Sequence, residues 1–177
     1  MKISFIGTGL MGFPMAKNLL KKILDLKIFS RTLKKSKPLE EFGGKIINSL
    51  SEAIIDSDII LTMLTDDDAV EKVLGNSDFL KNLKPSSTVI DMSSIKPKIA
   101  IKYGKLLKEN NINFLDAPVS GGTIGAEQGS LAIMVGGDQK TFDNAIDVLK
   151  IMGNPTLVGP IGSGQISKLA NQIIVGV

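Results

Sequence analysis

The sequence of 177 residues has no cysteine, no histidine and no tryptophan, and one tyrosine. Without cysteine there is no disulfide and no thiol nucleophile. With histidine also missing, the usual zinc-ligand sets and the commonest acid/base side chain are excluded. Any chemistry must rest on Lys, Asp, Glu, Ser, Thr, Tyr103 or a bound cofactor. Aromatic residues make up 5% of the chain, too few for platforms on which bases stack, and a net charge of +3 is too small and too evenly spread to argue for nucleic acid. No apolar stretch approaches the roughly 18 residues of a membrane span, and the N-terminus reads as a strand rather than a signal peptide. A cytoplasmic protein with neither membrane nor nucleic acid as partner is expected. The remaining composition, 43% apolar and 22% charged, is ordinary for a soluble globular protein, and the length suits one domain with the start of a second.

What the chain does have is a stretch around which the rest is organised, Ile3 to Gly12 (ISFIGTGLMG). Ile3, Phe5 and Ile6 read as a buried parallel strand, and Met15, Leu19 and Leu20 recur at helical spacing after it. Between them stand Gly7, Gly9 and Gly12 in the G-x-G-x-x-G pattern. Gly7 permits a tight turn, Gly9 lets the backbone approach a pyrophosphate, and Gly12 lets the helix pack on the strand. The phosphates then lie at a helix N-terminus, whose free N–H groups favour an anion, with Leu10 and Met11 in the same turn. In a chain with 18 glycines the spacing also arises by chance as an ordinary strand-to-helix turn. Its setting between a clean strand and a clean helix favours a dinucleotide.

The first helix runs to about Lys22, and Leu26 to Phe29 forms a second strand. An NAD site calls for an acid about 20 residues past the glycines, to hold the ribose 2′-hydroxyl. Here Ser30, Arg31 and Thr32 stand there instead, followed by Lys34, Lys35 and Lys37. A guanidinium grips a 2′-phosphate with paired charge-assisted hydrogen bonds, so NADP(H) is preferred, with NAD(H) possible. The competing reading is a solvated basic loop. Further strands are expected at 45–47, 58–64, 88–91, 112–115, 131–135 and 156–158. Helices are expected at 51–56 with Ser51 as cap, 69–74, 95–107 and 142–152. Met63 and Leu64 fall at the carboxyl end of a strand, where ligands lie in such sheets. Asp66, Asp67 and Asp68 suit a helix N-terminus better than a magnesium site. Strands alternating with helices at this spacing predict an α/β fold with a doubly wound, mostly parallel sheet of Rossmann type.

The last helix starts near Gly164 and carries Ile166, Leu169, Ala170, Ile173, Ile174 and Val177 on one broad face, with Lys168, Asn171 and Gln172 opposite. By spacing alone those polar residues are the wet side of an amphipathic helix. The helix is still apolar at Val177 without a C-terminal cap, so the sequence reads as cut off in mid-helix.

Four blocks in order, FIGTGLMGFPMAKNLL (5–20), DMSSIKP (91–97), DAPVSGG (116–122, with GSLAIMVGG downstream) and GSGQISKLANQ (162–172), resemble the β-hydroxyacid dehydrogenase family. That family includes 3-hydroxyisobutyrate dehydrogenase, tartronate semialdehyde reductase and glyoxylate/succinic semialdehyde reductases, and KLANQ looks most like the tartronate semialdehyde branch. The resemblance implies a dinucleotide-binding domain over 1–162 and, over 163–177, the start of a long interdomain helix whose C-terminal helical domain is missing. It also implies a homo-oligomer for the intact protein. Position by position it implies that Lys168 is the catalytic lysine and that Ser120, Gly121 and Gly122 hold the carboxylate of a small substrate. Ser94 would stand near the nicotinamide, and Asn171 and Gln172 near the substrate, Gln172 replacing the family's second asparagine.

Hydride delivery to a carbonyl carbon builds negative charge on its oxygen, which a lysine ammonium can stabilise and protonate. The expected activity is NADPH-dependent reduction of a semialdehyde or 2-oxo acid such as tartronate semialdehyde, glyoxylate or succinic semialdehyde, or the reverse oxidation of a 3-hydroxyacid such as 3-hydroxyisobutyrate. Two other readings fit the residues: a nucleotide-binding fragment without catalysis, and an interaction domain that pairs through its apolar terminal helix.

Overall fold

The computed structural model describes residues 1–175, so the expected placement of Val177 on the apolar face lies outside the described residues. The first half of the chain runs β1 (Ile3–Ile6), α1 (Gly12–Leu20), β2 (Leu26–Phe29), α2 (Leu33–Ser36), a 3₁₀ turn (Lys37–Phe42), β3 (Lys45–Ile46), α3 (Leu50–Ile54), β4 (Ile59–Thr62), α4 (Asp67–Leu74) and α5 (Ser77–Asn82). It continues through β5 (Thr88–Asp91), α6 (Pro97–Glu109), β6 (Asn113–Asp116), β7 (Val119–Ser120), α7 (Gly122–Gln128), β8 (Leu131–Gly136), α8 (Gln139–Lys150), β9 (Gly153–Gly159) and α9 (Ser163–Val175).

The strands make one sheet in the order β3-β2-β1-β4-β5-β6-β8-β7, with β9 on β8. From β3 through β6 every pairing is parallel; β8 then runs antiparallel to β6 and β7, and parallel to β9. This is the doubly wound Rossmann architecture with a mostly parallel sheet, whose strand order reverses between β1 and β4. Helices cover both faces, so β1, β4 and β5 are buried along their whole length, which is why they are mostly apolar, with Ser4, Thr62, Thr88 and Asp91 as buried polar exceptions. The row Phe5, Leu61, Ile90 and Leu115 faces one core, shared with Met15 and Leu19 of α1 and Leu149 of α8. The row before it, Ile60, Val89 and Phe114, faces the other core, shared with Val70, Tyr103 and Leu107. Side chains alternate along a strand, so the row Ile6, Thr62, Asp91 and Asp116 returns to that second face at the carboxyl rim.

Several boundaries differ from expectation for local reasons. The third helix starts at Leu50, and its cap is Ser49, not Ser51: Ser49 is extended and its Oγ accepts the Glu52 N–H at 3.2 Å. Asp66 caps α4 through the Ala69 N–H at 2.8 Å, and Asp67 pairs with Lys96 at 2.7 Å, consistent with capping for the aspartate run. The helices α2, α5 and α7 and the short strand β7 are absent from the sequence reading. They are too short to show two turns of hydrophobic period, and α7 is rich in glycine. No described helix is long and apolar enough to cross a membrane.

Candidate active site

The glycine turn leaves β1 at the point where the strand order reverses, the crevice in which such sheets bind ligands. Gly7 has φ +102°, and its N–H donates to the Phe29 carbonyl at 2.8 Å, tying the turn to β2. A Cβ on Gly12 would collide with the Gly7 carbonyl oxygen, which is how closely α1 seats on the turn. A Cβ on Gly9 would meet nothing in the protein. The space above Gly9 is therefore open to a ligand. Helices α3, α4, α5 and α8 are each closed by a side-chain cap, from Ser49, Asp66, Asn76 and Asp138. By contrast α1 has no such cap and no acid in its first turn, so its N–H groups and dipole remain available to an anion. Thr8, 2% exposed, carries a buried Oγ with no partner beside this turn. The residues fit a pyrophosphate.

Beyond the turn, a cleft of about 450 Å³ gathers Met11, Met63, Ser94, Ser120, Gly121, Gly122, Lys168 and Gln172. A lobe of about 230 Å³ shares Ser94, Lys168 and Gln172 with it and adds Gln165 and Lys96. Eight of the residues expected at the site thus come together. A larger cleft of about 800 Å³ lies on the other side of the turn, where Gly9 and the exposed Leu10 face Lys17, Lys34 and Lys35. It holds neither Lys168 nor Ser120, and Leu10 lines it rather than the smaller cleft. Ser30 is buried at the end of β2, whereas Arg31 and Thr32 are exposed, and among the described residues Arg31 forms no ion pair. These three and Leu64 lie outside all of these clefts.

Lys168 stands one turn along α9 from Gln165 and about one turn before Asn171 and Gln172, so these polar residues share one face. Burial holds the Lys168 ammonium below the usual lysine range. Asn171, expected at the substrate, donates from Nδ2 to Ser120 Oγ at 2.9 Å and so fixes the serine. Gln172 is exposed at the mouth.

Beneath the cleft runs a buried polar row whose roles the sequence did not reveal. Asp91 is completely buried; its Oδ1 accepts Thr62 Oγ at 2.8 Å, Ser93 Oγ at 2.6 Å and the Ser93 N–H at 3.2 Å, while Oδ2 has no partner. Ser93 Oγ in turn accepts the Leu64 N–H at 2.9 Å, locking the ends of β4 and β5 together. Burial pushes the Asp91 carboxyl up to about 6, against the opposing hydrogen bonds from Ser93 and Thr62 and with help from Asp116 beside it. Asp116 is likewise raised by burial.

The match to known proteins is decisive at the level of family. Residues 2–162 match the model of the NAD binding domain of 6-phosphogluconate dehydrogenase. The chain belongs to this family. Among curated relatives, it is 41% identical over 177 residues to the 2-hydroxy-3-oxopropionate reductase of Escherichia coli, covering 99% of this chain and 60% of the relative. It is 37% identical to the 2-(hydroxymethyl)glutarate dehydrogenase of Eubacterium barkeri, covering 99% of this chain and 59% of that protein. The solved structure of Mycobacterium tuberculosis 3-hydroxyisobutyrate dehydrogenase with L-serine superposes with a TM-score of 0.94 at 32% identity, over 98% of this chain and 60% of that one. The chain therefore spans about six-tenths of the length of these relatives. The family accounts for the glycine turn and its open helix end as a nicotinamide-dinucleotide site.

Proposed function

We propose that this chain binds NADPH in preference to NADH and that the whole protein reduces a small semialdehyde or 2-oxo acid, of the tartronate semialdehyde, glyoxylate or succinic semialdehyde type, or oxidises the corresponding hydroxyacid. The observation that carries this reading is one cleft in which a partly buried lysine faces a serine–diglycine loop beside the rim of the dinucleotide crevice. NADPH, when bound, supplies a hydride to the substrate's carbonyl carbon. The Lys168 ammonium is placed to donate its proton to the carbonyl oxygen, giving the hydroxyl, and its cation stabilises the charge that builds there. Because Asn171 already donates to Ser120 Oγ, the serine's own O–H is free to donate to a substrate carboxylate, together with the amides of Gly121 and Gly122. Exposed Arg31 supports the preference for a 2′-phosphate, since its guanidinium needs no release from a partner among the described residues. The names of the relatives, reductases and dehydrogenases of small hydroxy- and oxo-acids, support the same class.

The test is NADPH oxidation, followed optically, by this chain continued with the part of the Escherichia coli relative that lies outside the match. Turnover is expected with at least one of tartronate semialdehyde, glyoxylate and succinic semialdehyde, and with NADPH over NADH. No turnover with any of them, in a hybrid that folds and binds NADPH, would overturn the proposed reaction.

A further inference from the structure

The residues that hold Lys168 in place lie at the base of its cleft, with Gln165 reaching the lobe beside it. Asp116 ends β6 and turns its carboxylate onto the start of α9, where Oδ1 accepts the Gly162 N–H at 2.7 Å and Oδ2 the Gln165 N–H at 3.0 Å. Gln165, 1% exposed, uses its side-chain amide as a second link: Oε1 accepts the Ile95 N–H at 3.1 Å and Nε2 donates to the Ser93 carbonyl at 2.8 Å. One turn further on, Lys168 enters the cleft, and Asn171 reaches Ser120 at 2.9 Å. The face of α9 is thus bonded at its start to the ends of β5 and β6 and further on to β7, with Lys168 between these attachments. A buried amide whose donor and acceptor are both used fixes orientation, because any displacement leaves two buried backbone groups unpaired.

We propose that Asp116 and Gln165 are positioning residues, a clamp that fixes where the Lys168 amine stands relative to Ser94 and Ser120. The proposal rests on the reading of Lys168 as proton donor, yet it is measurable without turnover. Neither residue touches the glycine turn or Arg31, so the grip on the phosphates should outlast the clamp. The lysine's lowered titration should not. Held by α9 against the rim, the amine is partly desolvated, which is what lowers its pKa. Released, it would be hydrated like an ordinary lysine.

The experiment is an NMR titration of the 177-residue chain carrying ¹³C-labelled lysine, with the Lys168 resonance assigned by its loss in Lys168→Arg. In the unsubstituted chain Lys168 should titrate below the ordinary value of about 10.4. In Gln165→Leu, which breaks both amide bonds, its pKa should rise towards that value while NADPH still binds. A core substitution of α8, Leu149→Ala, loosens the fold away from the clamp and should leave the Lys168 titration where it was. Gln165→Met keeps the length of the side chain without adding charge but makes neither amide bond, so it should show the same rise. It is also the variant to measure if Gln165→Leu does not fold. An unmoved Lys168 titration in folded Gln165 variants, or an equal shift in Leu149→Ala, would overturn the clamp. Loss of turnover is a separate readout, so a wrong assignment of the proton donor would appear in kinetics while the clamp still appeared in the titration.

Discussion

In the hybrid enzyme described above, Lys168→Ala is expected to lower kcat by about 10²- to 10⁴-fold, the range a positioned proton donor contributes. NADPH affinity should be nearly unchanged, because Lys168 shares a cleft with Ser120 and Ser94 and does not line the larger cleft at Gly9 and Leu10. The pH dependence follows from the direction of its shift. Reduction needs the ammonium, so the rate falls as pH rises through the pKa of Lys168, and burial places that fall below the ordinary lysine value of about 10.4. Lys168→Arg separates charge from proton transfer. Its guanidinium keeps a cation in the cleft but does not deprotonate in this range, so substrate binding should persist while turnover stays low. Full kinetics with a pH profile check this; an Ala variant that retains its turnover would remove Lys168 from the chemistry.

The second large effect is on stability and comes from Asp91. A carboxyl raised by burial to about 6 binds a proton more tightly in the folded state than in the unfolded one, where it titrates near its ordinary value of 3.8. The folded state therefore holds the extra proton between those two values, and stability falls as pH rises through that window. The penalty is absent below about pH 4 and complete above about pH 6, with a size on the order of 3 kcal/mol. Exposed carboxylates such as Asp66 and Asp138, held low by hydrogen bonds to backbone and side-chain groups, act with the opposite sign and at lower pH. A comparison with Asp91→Asn isolates the buried group, since asparagine keeps an oxygen for Thr62 and Ser93 but does not titrate. Urea unfolding of both proteins between pH 4 and pH 7 should show the Asn variant gaining on the unsubstituted chain by on the order of 3 kcal/mol. A pH-independent difference would mean that Asp91 does not carry this proton.

Much of the sheet is legible because parallel strands covered on both faces are mostly apolar without strict alternation, as Ile3–Ile6 and Ile59–Thr62 are. The gathering of the site is legible for a related reason. A parallel sheet brings every strand's carboxyl end to one edge, so Met63 after β4, Ser94 after β5 and Ser120 in β7 meet although they are far apart in the chain. The roles of Asp91, Asp116 and Gln165 are not legible. Asp91 and Asp116 lie side by side only because of the register between β5 and β6, a tertiary fact. Gln165 looks in sequence like one more polar residue on the wet side of a helix, and its burial depends on a loop 70 residues away. Asn171 illustrates the opposite case: the motif marks it, but its partner in this structure is Ser120.

We propose that the turn from Gly7 to Gly12 and the basic residues after β2 form a working NADP site. Calorimetric titration of the 177-residue chain with NADPH and with NADH, alongside Gly9→Ala, tests it most directly. Expected are micromolar NADPH binding, NADH weaker by about tenfold or more, and loss of binding in Gly9→Ala, whose added methyl fills space the protein itself leaves open and so should not alter thermal stability. Binding of neither nucleotide to the folded chain, or full NADPH affinity in Gly9→Ala, would contradict it.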